Sequence, residues 1–260
     1  MQITDKGWKE YIADLRKLNQ TAADRMRKKI VDMGLESFDM ITPEQRKELI
    51  EYAYALVTKY GEGSAELACE FYDLIADLSG VGVPVAEPAA TATYGEVAKA
   101  VNGTMKTGNP EIVVGAIERL VKLAGADTTL KNAERDRAQW AWIPSGDTCA
   151  FCITLASRGW QTATIHVKKG DHAEHIHSHC DCMFAVRFSD DFKYESYDPD
   201  KYLDEYNHTI DDGIGEQRGR QSPADAKVNA MRRKQYEQNK EEINARAREN
   251  YRRRQELKND

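Results

Sequence analysis

Large apolar side chains recur at three- and four-residue steps through the first eighty residues, which commits much of this chain to packed helices. Trp8, Tyr11, Ile12, Leu15, Leu18, Ala22, Met26 and Ile30 form one stripe, with Lys, Arg and Asp between them, and Gly34 closes it. Thr42-Pro43-Glu44-Gln45 then supplies an N-cap, a proline at the first helical position and a capping-box glutamine. That opens a second helix through Leu49, Ile50, Ala53, Leu56 and Val57, expected to stop near Gly61 and Gly63. Ser64 would cap a third, with Leu67, Ala68, Phe71, Tyr72, Ile75 and Leu78 inward and Gly80 past its end. Three helices with short connections predict an N-terminal helical bundle over residues 1–80. Cys69, inside the third helix, reads as a small buried hydrophobe.

The stretch GVGVPVAEPAATAT, Gly80 to Thr93, predicts a linker over 81–93. Beyond it the pattern gives helices over Tyr94–Met105, Pro110–Leu123 and Thr128–Ala138. Gln139-Trp-Ala-Trp-Ile143 favours an extended strand ended by Pro144-Ser-Gly146, and Met183-Phe-Ala-Val-Arg-Phe188 a second. Residues 94–188 are therefore expected to form an α+β module, and the whole chain an α+β, predominantly helical protein.

With 31% charged residues and a mean hydropathy of −0.68, there is little apolar surplus over a modest core. A globular body with solvated extensions is expected. The longest apolar run is far shorter than a membrane span and the first residues do not read as a signal peptide, so a reducing cytoplasm and no membrane partner are expected. There, clustered cysteines serve as metal ligands more often than as disulfides. Net charge is −6, unevenly spread. Ser189 to Glu216 holds 10 acids and 2 bases, whereas Ala224 to Asp260 holds 11 Lys and Arg against 7 Asp and Glu. Residues 189–260 thus read as an acidic, then basic, C-terminal arm, helical or disordered. Its basic part is either a solvated surface or a contact for nucleic acid.

Four of the five cysteines fall in two close groups, Cys149-Ala-Phe-Cys152 and His177-Ser-His179-Cys180-Asp-Cys182. Thiolates and imidazoles arranged as two local pairs suit a tetrahedral Zn²⁺, because one loop closure brings four ligands together. Cys149 and Cys152 are the firmest pair. On the other side Cys180 with Cys182, or a combination such as His177 with Cys182, completes four, and the spacing does not select among them. Buried thiols without metal are the competing reading. Two catalytic readings fare worse. His172-Ala-Glu174 has the form of a zinc-deaminase H-x-E element, but its C-x-x-C precedes rather than follows. A thioredoxin-like role for C-x-x-C, on a short helix through Leu155 ended by Gly159, lacks the surrounding βαβ pattern. There is no phosphate loop, G-x-G-x-x-G or G-x-S-x-G, and the glycines from Gly213 to Gly219 follow no strand. His166 and His208 are isolated.

Asp127-Thr-Thr-Leu-Lys-Asn132-Ala-Glu-Arg-Asp136, Trp140, Pro144-Ser-Gly146, Cys149-Ala-Phe-Cys152, Leu155-Ala-Ser-Arg-Gly159 and His177-Ser-His-Cys180-Asp-Cys182 together resemble the Mu F-like minor capsid, or head-morphogenesis, proteins of tailed phages. The resemblance is dense from about Ile112 to Phe188 and looser over the N-terminal helices. Trp160-Gln-Thr stands where the family has a short β segment, and His166 to His175 is unusually rich in His and Lys. The family's C-x-x-C and H-x-x-C-x-C signature maps onto Cys149, Cys152, His177, Cys180 and Cys182. His179 matches the H-x-H-C variant. The resemblance implies a non-enzymatic structural role in the virion, inside the capsid near the portal, after assembly in the bacterial cytoplasm. It implies portal, major capsid or scaffolding proteins as partners, and a part in DNA packaging or ejection. A structural zinc would staple the α+β module, and the basic arm would meet packaged DNA through phosphate. The alternatives are a zinc-dependent enzyme or effector acting on nucleic acid, which would need Glu174, and a cytosolic zinc adaptor.

Overall fold

A computed structural model describes residues 2–145, 150–163 and 182–211. Thr4 opens the first helix, α1 (Asp5–Asp32), its hydroxyl accepting from the Gly7 N–H. The predicted stripe turns inward, with Trp8, Tyr11, Ile12, Leu15, Ala22, Met26 and Ile30 buried. Thr42 caps α2 (Pro43–Ser79) through a reciprocal capping box with Gln45, and Gly80, at φ +64°, ends it. Thr93 and Glu96 cap α3 (Tyr94–Met105) in the same way, and Asn109 caps α4 (Pro110–Arg135).

Two helix breaks expected from the sequence are absent. The chain runs helically through Gly61 and Gly63, so the second and third predicted helices are one helix of 37 residues. It likewise runs through Gly125, and the helices expected over 110–123 and 128–138 are the single α4. The reason is packing. A Cβ on Gly61 would lie 2.9 Å from the Thr91 methyl, and one on Gly125 would lie 2.6 Å from Ser64 Oγ and 3.0 Å from Ser64 O. Gly61 thus lets the 81–93 segment lie close on α2, Gly125 lets α4 approach α2, and the burial gained outweighs the ~1 kcal/mol each costs in helix propensity.

The helices α1, α2 and α4 pack on one another, with α3 against α2 and α4. Their apolar interior forms two clusters. One, around Met26, Leu49, Val57, Val101 and Ile117, fills one end of the bundle. The other, around Trp8, Tyr72, Trp140 and Phe184, joins the opposite end to a sheet. Asn19, Ser64 and Lys122 are buried where the clusters meet.

Residues 81–93, expected as a linker, connect α2 to α3 and are held down along their length. Asp73 accepts from the Ala86 N–H. Asn132 accepts from the Glu87 N–H and donates to the Glu87 carbonyl. Thr128 Oγ accepts from the Ala89 N–H. Arg135 donates to the carbonyls of Pro84 and Val85.

After α4 come β2 (Gln139–Ile143), α5 (Ala150–Ala156), β3 (Gln161–Thr162) and β4 (Met183–Arg187). Strand β2 lies at the centre of an antiparallel sheet in the order β3-β2-β4, with Gln139 opposite Arg187 and Ile143 opposite Met183. Both expected strands are present, and Gln161–Thr162 is itself a short β segment. A second sheet was not foreseen. Residues Gln2–Ile3 (β1) pair in parallel with Lys193–Tyr194 (β5), and α6 (Pro199–Asp211) follows. Residues assigned to the arm by charge therefore include Phe192, Tyr194 and Tyr197, all buried in the sheet-side cluster. Predominantly helical α+β describes the result. Residues Met1–Asn207 make one unit, and the basic part of the arm, 224–260, lies outside the described residues.

Candidate metal centre

Of the five residues in the expected ligand set, two are described: Cys152 and Cys182. Cys149, His177 and Cys180 lie outside the described residues, as do His179, His166 and the His172–Glu174 element. Cys152 sits on α5, which packs on β2, and Cys182 immediately precedes β4. Because Ile143 pairs with Met183, the chain leaves β2 towards α5 at the same end of the sheet where Cys182 leads into β4. The fold thus draws residues thirty positions apart into one apolar cluster, where each is 1% exposed.

Aromatic side chains fill that cluster. Phe184 lies edge-on to Trp142 at 4.6 Å and to Trp140 at 5.0 Å. The Tyr197 hydroxyl donates to the Ala156 carbonyl at 2.8 Å, fastening the end of α5 to the chain after β5. The Tyr194 hydroxyl donates to the Val186 carbonyl at 2.9 Å, fastening β4 from the same side. Burial, and then the charge of Glu205, raise the Tyr202 phenol above its usual range. At the far end of β4, Arg187 donates to Gln139 Oε1 at 2.6 Å and to Asp190 Oδ1 at 2.7 Å. Its guanidinium lies 4.7 Å from the centre of the Trp160 ring. Desolvation lowers its pKa, and these contacts are what make a cation tolerable at 9% exposure.

Two soft sulfur donors in a dry, shielded core fit a structural zinc by chemistry and by setting. Structural zinc is enclosed by its ligands, whereas a catalytic ion keeps a position open to water and substrate. Among the described residues no three His, Cys, Asp or Glu side chains converge, so this fit rests on the two cysteines alone. Cys69, half-buried on α2, packs at the edge of the same apolar cluster. Burial and then the nearby Asp73 push its thiol up to about 11, which leaves it an unreactive thiol.

Charge patterning missed Tyr194, Tyr197 and Arg187 as supports of this centre. The signal for the tyrosines was present: aromatic residues at 192, 194 and 197 are out of place in a solvated acidic segment. Nothing local marks Arg187, whose partners come from β2 and from beyond β4.

No helix among the described residues is long and apolar enough to cross a membrane. No curated protein and no solved structure matches the chain. The family model of the VG15 protein matches residues 2–209, spanning the bundle, the sheet and most of α6. The chain belongs to the VG15 protein family, a family of viral (phage) proteins.

Proposed function

We propose that this phage protein is a non-enzymatic minor capsid protein of the Mu F-like kind. It serves head morphogenesis from inside the capsid near the portal, against portal and major capsid or scaffolding proteins. A structural zinc held by Cys152 and Cys182, with partners from Cys149, His177 and Cys180, clasps α5 to the start of β4. The observation that carries this reading is the joint burial of Cys152 and Cys182 in the core of a body that the VG15 family model spans. Two thiols, each buried in the same apolar cluster, suit a clasp. Catalysis would need a ligand position open to substrate. When bound, the ion supplies binding energy that becomes folding energy for the module around the sheet. The basic segment 224–260 is assigned to packaged DNA, through phosphate and without sequence preference.

The test is composition and loss. Particles purified from the phage should contain the protein, and deleting its gene should leave heads poorly filled or unable to eject. Its absence from particles, with unchanged titre on deletion, would overturn the assignment. Removing residues 224–260 should weaken salt-dependent DNA binding, and unchanged binding would separate that arm from DNA.

A further inference from the structure

We propose that copies of this chain associate head to tail, the outer face of α6 in one copy docking into a groove beside α2 and α3 of the next. The groove has a volume of about 400 Å³ and is lined by Ile41, Pro43, Ile50 and Tyr94, with the cations Arg46 and Lys47 at its side. Apolar surface continues beyond it. Met40 is 91% exposed, and Tyr54, also exposed, lies edge-on to Tyr94 with ring centres 5.5 Å apart. The neighbouring acids are largely engaged: Glu48 pairs with Lys29, and Glu96 caps α3. Lys47 meets Glu51 only at 3.8 Å, an exposed i,i+4 pair that exchanges readily for a better partner.

The complementary surface is on α6. Asp200, Leu203 and Asp204 stand at i, i+3 and i+4 and so share one face, all exposed. On another side of the helix Tyr202 packs beside Tyr197 and belongs to the sheet-side cluster. A leucine between two carboxylates thus matches an apolar groove flanked by two cations. The groove is floored by Ile50, of the other cluster, and Leu203 remains exposed in its own chain. The two surfaces differ, so each contact uses one of each and leaves one of each available. That is a heterologous interface, able to continue around a ring or along a file. Charge complementarity selects the register, and the apolar insertion supplies the attraction.

The full-length protein is tested by sedimentation across a dilution series. Wild type should show concentration-dependent higher-mass species. Arg46→Glu combined with Lys47→Glu, and separately Leu203→Asp, should each give monomers with unchanged circular dichroism, since all three side chains are exposed. An equal mixture of the two variants should give a dimer and nothing larger, because each retains the surface the other lacks. A monomeric wild type, association that persists in either variant, or a mixture that stays monomeric would overturn the proposal.

Discussion

At the scale of single residues, the closest helix contact makes the sharpest prediction. Gly125→Ala places a methyl against Ser64 and should lower stability by about 1–3 kcal/mol despite the better helix propensity. Gly103→Ala, in the exposed and unobstructed part of α3, should raise it by up to about 1 kcal/mol. Denaturant melts of the pair decide whether the helical glycines are packing contacts, since equal effects would contradict the close approach of α2 and α4. Only the second structural partner distinguishes these glycines. Gly61 and Gly125 carry the same local signal as Gly80, which does end a helix, and what differs is Thr91 or Ser64 standing opposite. The tyrosines give a pH prediction. Burial raises the phenols of Tyr11, Tyr72, Tyr194 and Tyr197, so the folded chain holds protons that the unfolded chain releases near pH 10. Their contribution is complete below about pH 10 and is lost as pH rises beyond it. Phenolate absorbance from these residues should appear together with unfolding in an alkaline titration. Its appearance in a chain that is still folded would contradict their burial.

At the scale of elements, the strap over 81–93 is the segment most dependent on a few side chains. Asn132 meets both the N–H and the carbonyl of Glu87 from a fully buried position. Asn132→Ala leaves both groups unpaired, at a cost of about 1–3 kcal/mol, and should open 81–93 to limited proteolysis. Lys131→Ala removes only exposed contacts, an ion pair to Glu87 and a hydrogen bond to the Pro88 carbonyl, and should have a much smaller effect on both. Equal protection in both variants would mean that other contacts hold the strap. Proline, glycine and alanine in this stretch rightly exclude helix and strand, but they carry no sign of Asp73, Thr128 or Asn132 waiting on α2 and α4. The capped helix start at Thr42 was legible because capping is local, whereas the helix from Tyr94 was expected without its Thr93 cap. The strands 139–143 and 183–187 were legible because each is a short apolar run bounded by breakers. Two-residue strands β1 and β5 were not, since a pairing between residues 2–3 and 193–194 leaves no periodic trace.

At the scale of the whole molecule, the family match and the fold describe one continuous body from the first strand into α6. Two of the five expected ligands lie at its centre rather than on its surface. Their grouping was legible from spacing alone. Their burial was not, because it depends on Ile143 meeting Met183 and on α5 folding back over β2. If zinc closes this part of the core, its binding energy is part of the stability of the fold. Chelation should then lower the melting temperature, and Cys152→Ser or Cys182→Ser should lower it further and abolish the response to chelator. Cys69→Ser, at a half-buried site on α2 at the edge of the cluster, should leave both nearly unchanged. The most direct measurement is the metal content of the freshly reduced, full-length protein beside these variants. Stoichiometric zinc in the wild type and in Cys69→Ser, lost from Cys152→Ser and Cys182→Ser together with thermal stability, is the predicted result. A metal-free wild type that melts at the same temperature with and without chelator would contradict the clasp.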